Sequence, residues 1–119
     1  DWSSDVCSSD LGLVGHGWEM AERSGVKLEI DSSLVPCYPG ALDLARAGHR
    51  TGGDPRNRAY VEGHIETRAG DGHVALCMDP QTSGGLLAAV EPSVVDALVA
   101  DGFTVIGRFV AGAPGVVVL

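Results

Sequence analysis

The sequence predicts a domain of the mixed α/β (α+β) class, with a sheet of roughly four to six strands and about three helices on one side. Of its 119 residues 45% are apolar, which is enough to form a hydrophobic core. Segments with the 3.6-residue period of amphipathic helices alternate with short runs that have the two-residue period of strands. No repeat of three or seven residues runs through the chain, which excludes collagen and coiled coils, and the apolar content excludes disorder.

The first predicted element is a helix at residues 13–24. Val14, Trp18 and Ala21 recur at the spacing of one helical face, while charged residues lie off that face. Gly25 follows directly, and glycine is the residue that most often ends a helix.

The next elements follow from alternation and from turn residues. Residues 26–30 read Val-Lys-Leu-Glu-Ile, the alternating pattern of a half-buried strand, and Asp31 with two serines can cap a short turn. A second helix is predicted at 39–47, before Gly48, and residues 51–55 are a loop by composition.

The second half of the chain has weaker patterns. The pattern of residues 56–68 does not distinguish helix from strand. A helix is possible at the start of this stretch and a strand is possible around 61–67. The Asp-Gly pair within 70–72 is typical of a β-hairpin turn. The remaining predicted elements are strands at 74–78 and 85–90, a third helix that Pro92 opens and Gly102 ends, and strands at 103–110 and 116–119.

Residues 1–11 have neither period and resemble the translation of a common short-read sequencing adapter. The alternative is a genuine polar tail. Segments of foreign origin are excluded from fold reasoning, so the predicted domain comprises residues 12–119.

The charge balance argues against two classes of partner. Sixteen acidic and eight basic residues give a formal net charge of −8. Binding to nucleic acid or to an anionic membrane surface needs Lys and Arg at the phosphates, so neither is expected. The longest apolar runs are also far shorter than the roughly 20 residues of a membrane-spanning helix.

The cysteines point to a reducing compartment. Cys7, Cys37 and Cys77 are odd in number and form no CxxC pair, which argues against a disulfide scaffold or a structural zinc site. A cytoplasmic location is therefore expected. Cys37 and Cys77 have apolar neighbours in the sequence, which favours inert thiols over nucleophiles.

Two glycine-rich segments could hold an anion. Residues 12–17 open a helix, whose N-terminal N–H groups can bind phosphate; the alternative is that these glycines allow close helix packing. Gly52 and Gly53 precede Arg56 and Asn57, which offer a guanidinium and an amide to an anion. The alternative there is an exposed turn whose arginine packs back on a helix.

A third segment is the strongest candidate for a binding site. Its residues run directly into an apolar strand and could form a nest of backbone N–H donors, or else a tight turn whose hydroxyls satisfy the backbone. The candidate cofactor-binding residues are Thr82, Ser83, Gly84 and Gly85.

No other pattern points to catalysis. The four histidines have no HExxH spacing, and the acids form no paired-carboxylate pattern. No nucleophile lies beside a base, so no catalytic residue and no metal ligand is assigned.

Four motifs, taken together, resemble selenophosphate synthetase (selenide, water dikinase). They are GLVGH at 12–16 with EMA at 19–21, Pro36 with PGAL at 39–42, GG at 52–53 with RN at 56–57, and DPQTSGGLL at 79–87. The resemblance is collinear from Gly12 to about Gly112 and covers only the C-terminal domain of that family. The resemblance implies that residues 12–119 have the architecture of the C-terminal domain of the aminoimidazole ribonucleotide synthetase-like superfamily.

The resemblance implies an ATP-dependent phosphotransferase that makes selenophosphate from selenide, with AMP and orthophosphate as the other products. It implies ATP and Mg²⁺ as cofactors of the full-length enzyme, an N-terminal ATP-binding domain as partner, and a homodimer. The family's nucleophilic Cys or selenocysteine, its essential Lys and most of its metal aspartates belong to that N-terminal domain. One further family aspartate would align with Cys7, where this sequence departs from the pattern. The chain alone is therefore expected to be inactive and to bind no cofactor.

Two alternatives to this interpretation stay open. One is a related ATP-using enzyme of the same architecture, of the aminoimidazole ribonucleotide synthetase, thiamine-monophosphate kinase or hydrogenase maturation type. The other is a non-catalytic module that only buttresses a nucleotide site formed elsewhere.

Overall fold

The computed structural model describes residues 12–36, 39–49, 54–78 and 87–119. These ranges form one mixed α/β unit, which confirms the predicted fold class. Its elements are α1 (Gly12–Ser24), β1 (Lys27–Ile30), α2 (Ala41–Arg46), α3 (Asp54–Val61), β2 (Ile65–Thr67), α4 (Asp71–Met78), α5 (Val95–Ala100), β3 (Gly107–Val110) and β4 (Gly115–Val118), with short 3-10 helices at Ser32–Leu34 and Pro92–Val94.

The described strands form one four-stranded mixed sheet in the order β2-β4-β1-β3. Strand β4 lies parallel to both β1 and β2, and β1 pairs antiparallel with β3. In this register Ile30 lies between Val118 and Gly107. The last strand along the chain is therefore central in the sheet, a position that sequence order does not reveal.

The core lies between this sheet and α1. Strand β1 buries alternate residues, as its sequence predicts, and α1 packs on β1 and β4 while α3 and α4 pack against α1. The buried cluster consists of Val14, Trp18, Ala21, Leu28, Ile30, Val61, Val74, Cys77, Met78, Val116 and Val118. The face of α1 that its spacing predicts is thus the face that meets the sheet.

The largest correction concerns the predicted strand at 74–78 and the hairpin turn at 70–72. Residues 71–78 form α4, in which Val74, Ala75, Cys77 and Met78 are buried, and Gly70 directly precedes it. A continuous apolar run of this length has no polar alternation, so its period cannot distinguish a buried strand from a buried helix. Ala, Leu and Met are strong helix formers, and the Asp71 carboxylate suits the positive end of the helix dipole.

Smaller corrections affect the other elements. The ambiguous stretch 56–68 divides into α3 and β2, which, together with α4, gives five α-helices in the described ranges instead of about three. Residues 87–90 of the predicted strand 85–90 have no regular structure, and residues 85–86 lie outside the described ranges. The predicted strand 103–110 is shorter than expected. Only Gly107–Val110 forms a strand, β3, and residues 103–106 have no regular structure. Asp31 caps the short helix at Ser32–Leu34 by accepting a hydrogen bond from the Ser33 backbone N–H at 3.0 Å, as predicted.

Candidate functional site

Two of the motif segments meet at one place in the fold, next to Met78, the residue that precedes a third motif segment. It lies where the start of α1 touches the end of α4. A Cβ atom at Gly12 would lie only 2.8 Å from the carbonyl oxygen of Met78 and 3.1 Å from that of Cys77. Gly12 also has φ +71°, a backbone conformation that glycine adopts without strain. The alternative in which glycine allows close helix packing is thus confirmed at Gly12.

Asn57, near the start of α3, completes this junction. Its side chain is fully buried, and its Nδ2 donates a hydrogen bond of 2.7 Å to the Met78 carbonyl oxygen. This carbonyl is at the end of α4, where the last backbone acceptors of a helix have no partner within it. We call Gly12, Asn57 and Met78 the helix junction.

The second glycine-rich segment, residues 52–57, was interpreted either as an anion site or as an exposed turn. The junction tests only the part of it at Arg56 and Asn57. Gly52 and Gly53 lie outside the described residues. Arg56 is exposed whereas Asn57 is buried, so the two side chains do not present a joint surface to an anion. Asn57 acts here as a structural donor to a helix end.

The predicted cofactor-binding residues Thr82, Ser83, Gly84 and Gly85 also lie outside the described residues. Residues 79–86 follow Met78 in the sequence, and Met78 belongs to the helix junction. The proposal for this turn therefore depends on the sequence and on the position from which the segment leaves α4.

Two buried side-chain atoms have no hydrogen-bond partner among the described residues. They are Oδ1 of Asn57 and Nε2 of His16. The other ring nitrogen of His16 lies 3.6 Å from a carboxylate oxygen of Glu19. Buried polar atoms without a partner are rare in folded proteins and often mark a place where something else binds or packs.

Cys77 has the character of a core thiol. It is 1% exposed, and burial raises the pKa of its thiol to about 11. A thiol with so high a pKa carries almost no thiolate at neutral pH, so it is a poor nucleophile. Of the two locations that the prediction left open, core or surface, the structure places Cys77 in the core. Cys37 lies outside the described residues.

An open concave surface lies between α3, β2 and α4. It is an open groove of about 710 Å³ whose wall includes Arg58 and Asp71, with a guanidinium nitrogen and a carboxylate oxygen 4.0 Å apart. In the described part of the chain, no three His, Cys, Asp or Glu side chains come together as a metal site would require. No metal ligand is therefore assigned to the described residues of this groove.

Stacking of aromatic rings fixes one more contact between α1 and the segment before β2. The rings of Trp18 and His64 lie 4.1 Å apart, centroid to centroid, and are nearly parallel. Trp18 is buried and His64 is exposed, so the imidazole ring lies on the solvent side of the indole and covers it.

Sequence reasoning missed the role of Asn57. This residue lies between two arginines, in the most polar part of the predicted domain, and nothing local marks it as buried. One signal was available, since Asn57 and the buried Val61 are four residues apart and share a helix face.

No helix within 12–36, 39–49, 54–78 and 87–119 is both long and apolar enough to cross a membrane.

No model of a protein family matches the chain. It is nevertheless similar to curated proteins named selenide, water dikinase. The protein from Pseudomonas straminea is 44% identical, over 91% of this chain and 33% of that protein. The protein from Clostridioides difficile is 42% identical and is matched over 85% of this chain and 30% of its own length. For Caldanaerobacter subterraneus subsp. tengcongensis the identity is 42%, over 74% of this chain and 26% of that protein.

The chain thus spans between about a quarter and a third of the length of these curated relatives.

Proposed function

Because the chain is homologous to a part of selenide, water dikinase, also called selenophosphate synthetase, we propose that it supplies the corresponding part of an ATP-dependent phosphotransferase. That enzyme makes selenophosphate from selenide and water, and AMP and orthophosphate are the other products. The observation that carries this proposal is the 44% identity over 91% of the chain. Every relative reported above has the same name, which favours this enzyme over the ATP-using relatives of the same architecture.

In this proposal residues 12–119 are the C-terminal domain, and residues 1–11 are a foreign tail. The domain works with an N-terminal ATP-binding domain, in a cytoplasmic homodimer. The nucleophile, the essential Lys and most of the metal aspartates belong to that partner domain. The fragment alone is consequently inactive.

ATP and Mg²⁺ are cofactors of the whole enzyme in this proposal, with Mg²⁺ neutralising phosphate charge when bound. The described residues of this chain do not fit a Mg²⁺ site, since no three acidic, histidine or cysteine side chains lie together among them. We therefore assign no ligand to them. The contribution of this domain is to position the turn formed by Thr82, Ser83, Gly84 and Gly85 at the cleft between the domains, where phosphate is handled.

A hybrid enzyme tests the proposal. Residues 12–119 replace the matching third of the Pseudomonas straminea protein, which keeps its own residues up to the position of Gly12. We expect selenide-dependent formation of AMP within about tenfold of the parent enzyme, a difference of about 1.4 kcal/mol in activation free energy. The 119-residue chain alone should release no AMP above a blank.

Two controls accompany the hybrid. The Pseudomonas straminea protein without its matching third shows whether that third is needed at all. Circular dichroism and the melting temperature show whether the hybrid folds. A folded hybrid without selenide-dependent activity would contradict the proposed function, and so would AMP release by the isolated chain. A hybrid that consumes ATP without selenide would instead favour another enzyme of this architecture.

The turn has a test of its own in the hybrid. Ser83→Ala should lower kcat by roughly ten- to hundredfold, because a hydrogen bond to a charged group contributes about 1.5–3 kcal/mol. The melting temperature should stay almost unchanged. Ser93→Ala is the matched control, since Ser93 is an exposed serine in a short 3-10 helix. If Ser83→Ala lowered the melting temperature and left turnover normal, the turn would have a structural role and no role in catalysis.

A further inference from the structure

One edge of the sheet is open beside the groove between α3, β2 and α4. Strand β2 comes first in the order β2-β4-β1-β3, so among the described strands only β4 pairs with it. An edge strand presents backbone N–H and C=O groups that have no partner in the sheet, and another polypeptide can pair with them. The open side of β2 is therefore a candidate docking surface.

The hydrogen bonds to β4 show which groups of β2 face the open side. The His64 carbonyl oxygen accepts from the Val116 N–H at 3.0 Å, and the Arg68 N–H donates to a carbonyl oxygen of β4 at 2.7 Å. Because the backbone groups of successive residues in a strand point to opposite sides, the N–H and C=O groups of Ile65 and Thr67 point away from β4. Both residues therefore offer a donor and an acceptor at the open edge.

The groove borders the same two residues. Ile65 and Thr67 both line it, whereas Glu66 between them does not. Its helical walls include the exposed Ala59 of α3 and the buried Val74 of α4. A cleft between an edge strand and helices is a geometry in which an extended peptide adds to a sheet: its backbone pairs with the edge, and alternate side chains enter the cleft.

The charges around this surface favour a partner with a positive group. Three carboxylates lie here, those of Glu62, Glu66 and Asp71, against two guanidinium groups. Arg58 already pairs with Asp71, and Arg68 with Glu66. Within the described ranges no ion pair of Glu62 is seen. A second copy of the chain would bring the same acidic excess against itself, whereas a Lys or Arg would complement Glu62.

The length of the relatives indicates where such a segment comes from. This chain spans only about a quarter to a third of them, so most of their polypeptide lies outside the matched part. In the proposed function that polypeptide is the N-terminal domain, and it precedes Gly12. Gly12 lies against the Met78 carbonyl, and Met78 lines the groove, so the rest of the enzyme joins this domain next to the groove.

We propose that the groove and the open edge of β2 form a docking surface for an extended segment of the N-terminal domain. The segment pairs with the N–H and C=O groups of Ile65 and Thr67 as an additional strand. It places alternate apolar side chains in the groove and a Lys or Arg next to Glu62. The identity of the partner rests on the proposed function, whereas the open edge and the groove do not.

Amide hydrogen exchange followed by NMR reads both sides of β2. In the 119-residue chain the amides of Ile65 and Thr67 should exchange rapidly, while the Arg68 amide, which donates to β4, is protected. In the hybrid enzyme the Ile65 and Thr67 amides should exchange about tenfold more slowly or slower still, because they gain acceptors from the N-terminal domain. The Arg68 amide, as the internal control, should stay protected in both.

Two variants of the hybrid test whether the groove is occupied. Ala59→Trp fills the groove from an exposed position on α3 and should return the exchange of Ile65 and Thr67 to the rates of the 119-residue chain. Arg56→Trp is the matched control, because Arg56 is exposed on the same helix but does not line the groove. It should leave the slow exchange in place. Both substitutions should leave the melting temperature of the 119-residue chain almost unchanged, since both positions are on the surface.

Three results would overturn the proposal. Slow exchange of Ile65 and Thr67 in a monomeric 119-residue chain would mean that a segment of this chain itself covers the edge. Slow exchange that accompanies dimerisation of that chain in sedimentation would assign the surface to a second copy. Equally rapid exchange in the hybrid and in the chain, or equal behaviour of the two tryptophan variants, would show that the N-terminal domain does not dock in this groove.

The outcome is separate from that of the proposed function. A folded hybrid with slow exchange of Ile65 and Thr67 but without selenide-dependent AMP supports the docking surface and contradicts the proposed function. An active hybrid in which both amides exchange rapidly does the reverse. If the hybrid does not fold, the positions of the Pseudomonas straminea protein that align with Ile65 and Thr67 decide, since slow exchange is expected there and rapid exchange overturns the proposal.

Discussion

Replacing Gly12 by alanine is expected to lower the free energy of unfolding by about 2–5 kcal/mol. Two effects add at this position. The residue has φ +71°, which strains any residue with a Cβ atom, and the new Cβ would lie 2.8 Å from the Met78 carbonyl oxygen. That neighbour is backbone at a helix end, so it cannot rotate away as a flexible side chain would. Urea unfolding followed by circular dichroism measures the loss.

Gly25→Ala is the control for this substitution. Gly25 lies just past the other end of α1 with a similar φ of +66°, but nothing lies within 4 Å of the Cβ it would gain. Its loss should thus be limited to backbone strain, about 1–2 kcal/mol. Equal losses for the two variants would show that the contact between α1 and α4 does not constrain Gly12.

Ile30→Ala should lower the free energy of unfolding by about 2–5 kcal/mol, through lost burial and the cavity it leaves. Ile30 is 1% exposed and lies in the sheet between Val118 and Gly107. Its Cδ1 would be 3.9 Å from a Cβ at Gly17, so α1 closes directly over it. Because α1 and the neighbouring strands are held by their own contacts, the site can only partly fill the space of the three missing carbons.

Leu44→Ala removes the same number of carbons from an exposed position. Leu44 on α2 is 58% exposed, so its loss should stay within about 0.5 kcal/mol. The two variants are compared by chemical denaturation under the same conditions. A loss of less than 1 kcal/mol for Ile30→Ala would mean that the core between α1 and the sheet is loosely packed.

The elements with a clear local period were predictable. Helix α1 and strand β1 follow from the spacing of Val14, Trp18 and Ala21 and from the alternation around Leu28, and both are seen within one residue of the predicted bounds. In each case burial on one face only produces the sequence pattern, so the pattern identifies the element. The resemblance carried by the glycine-rich motifs likewise indicated the family that the relatives name.

The candidate site was predictable only as a set of segments. Gly12 and Asn57 were both singled out from the sequence, but as two separate places where an anion could bind. The contact of each with Met78 joins residues far apart along the chain, and no local pattern encodes such a contact. A buried asparagine in a polar stretch has no signature other than its spacing from Val61.

By itself the sequence determined the mixed α/β class, the helix α1 with its core face and the strand β1. Only the tertiary structure decided that residues 71–78 are a helix, that the last strand is central in the sheet, and that Asn57 holds the end of α4. The physical reason lies in packing in each case. An apolar run buried on every side has no period to read, and strand order and buried hydrogen bonds depend on what packs against a segment.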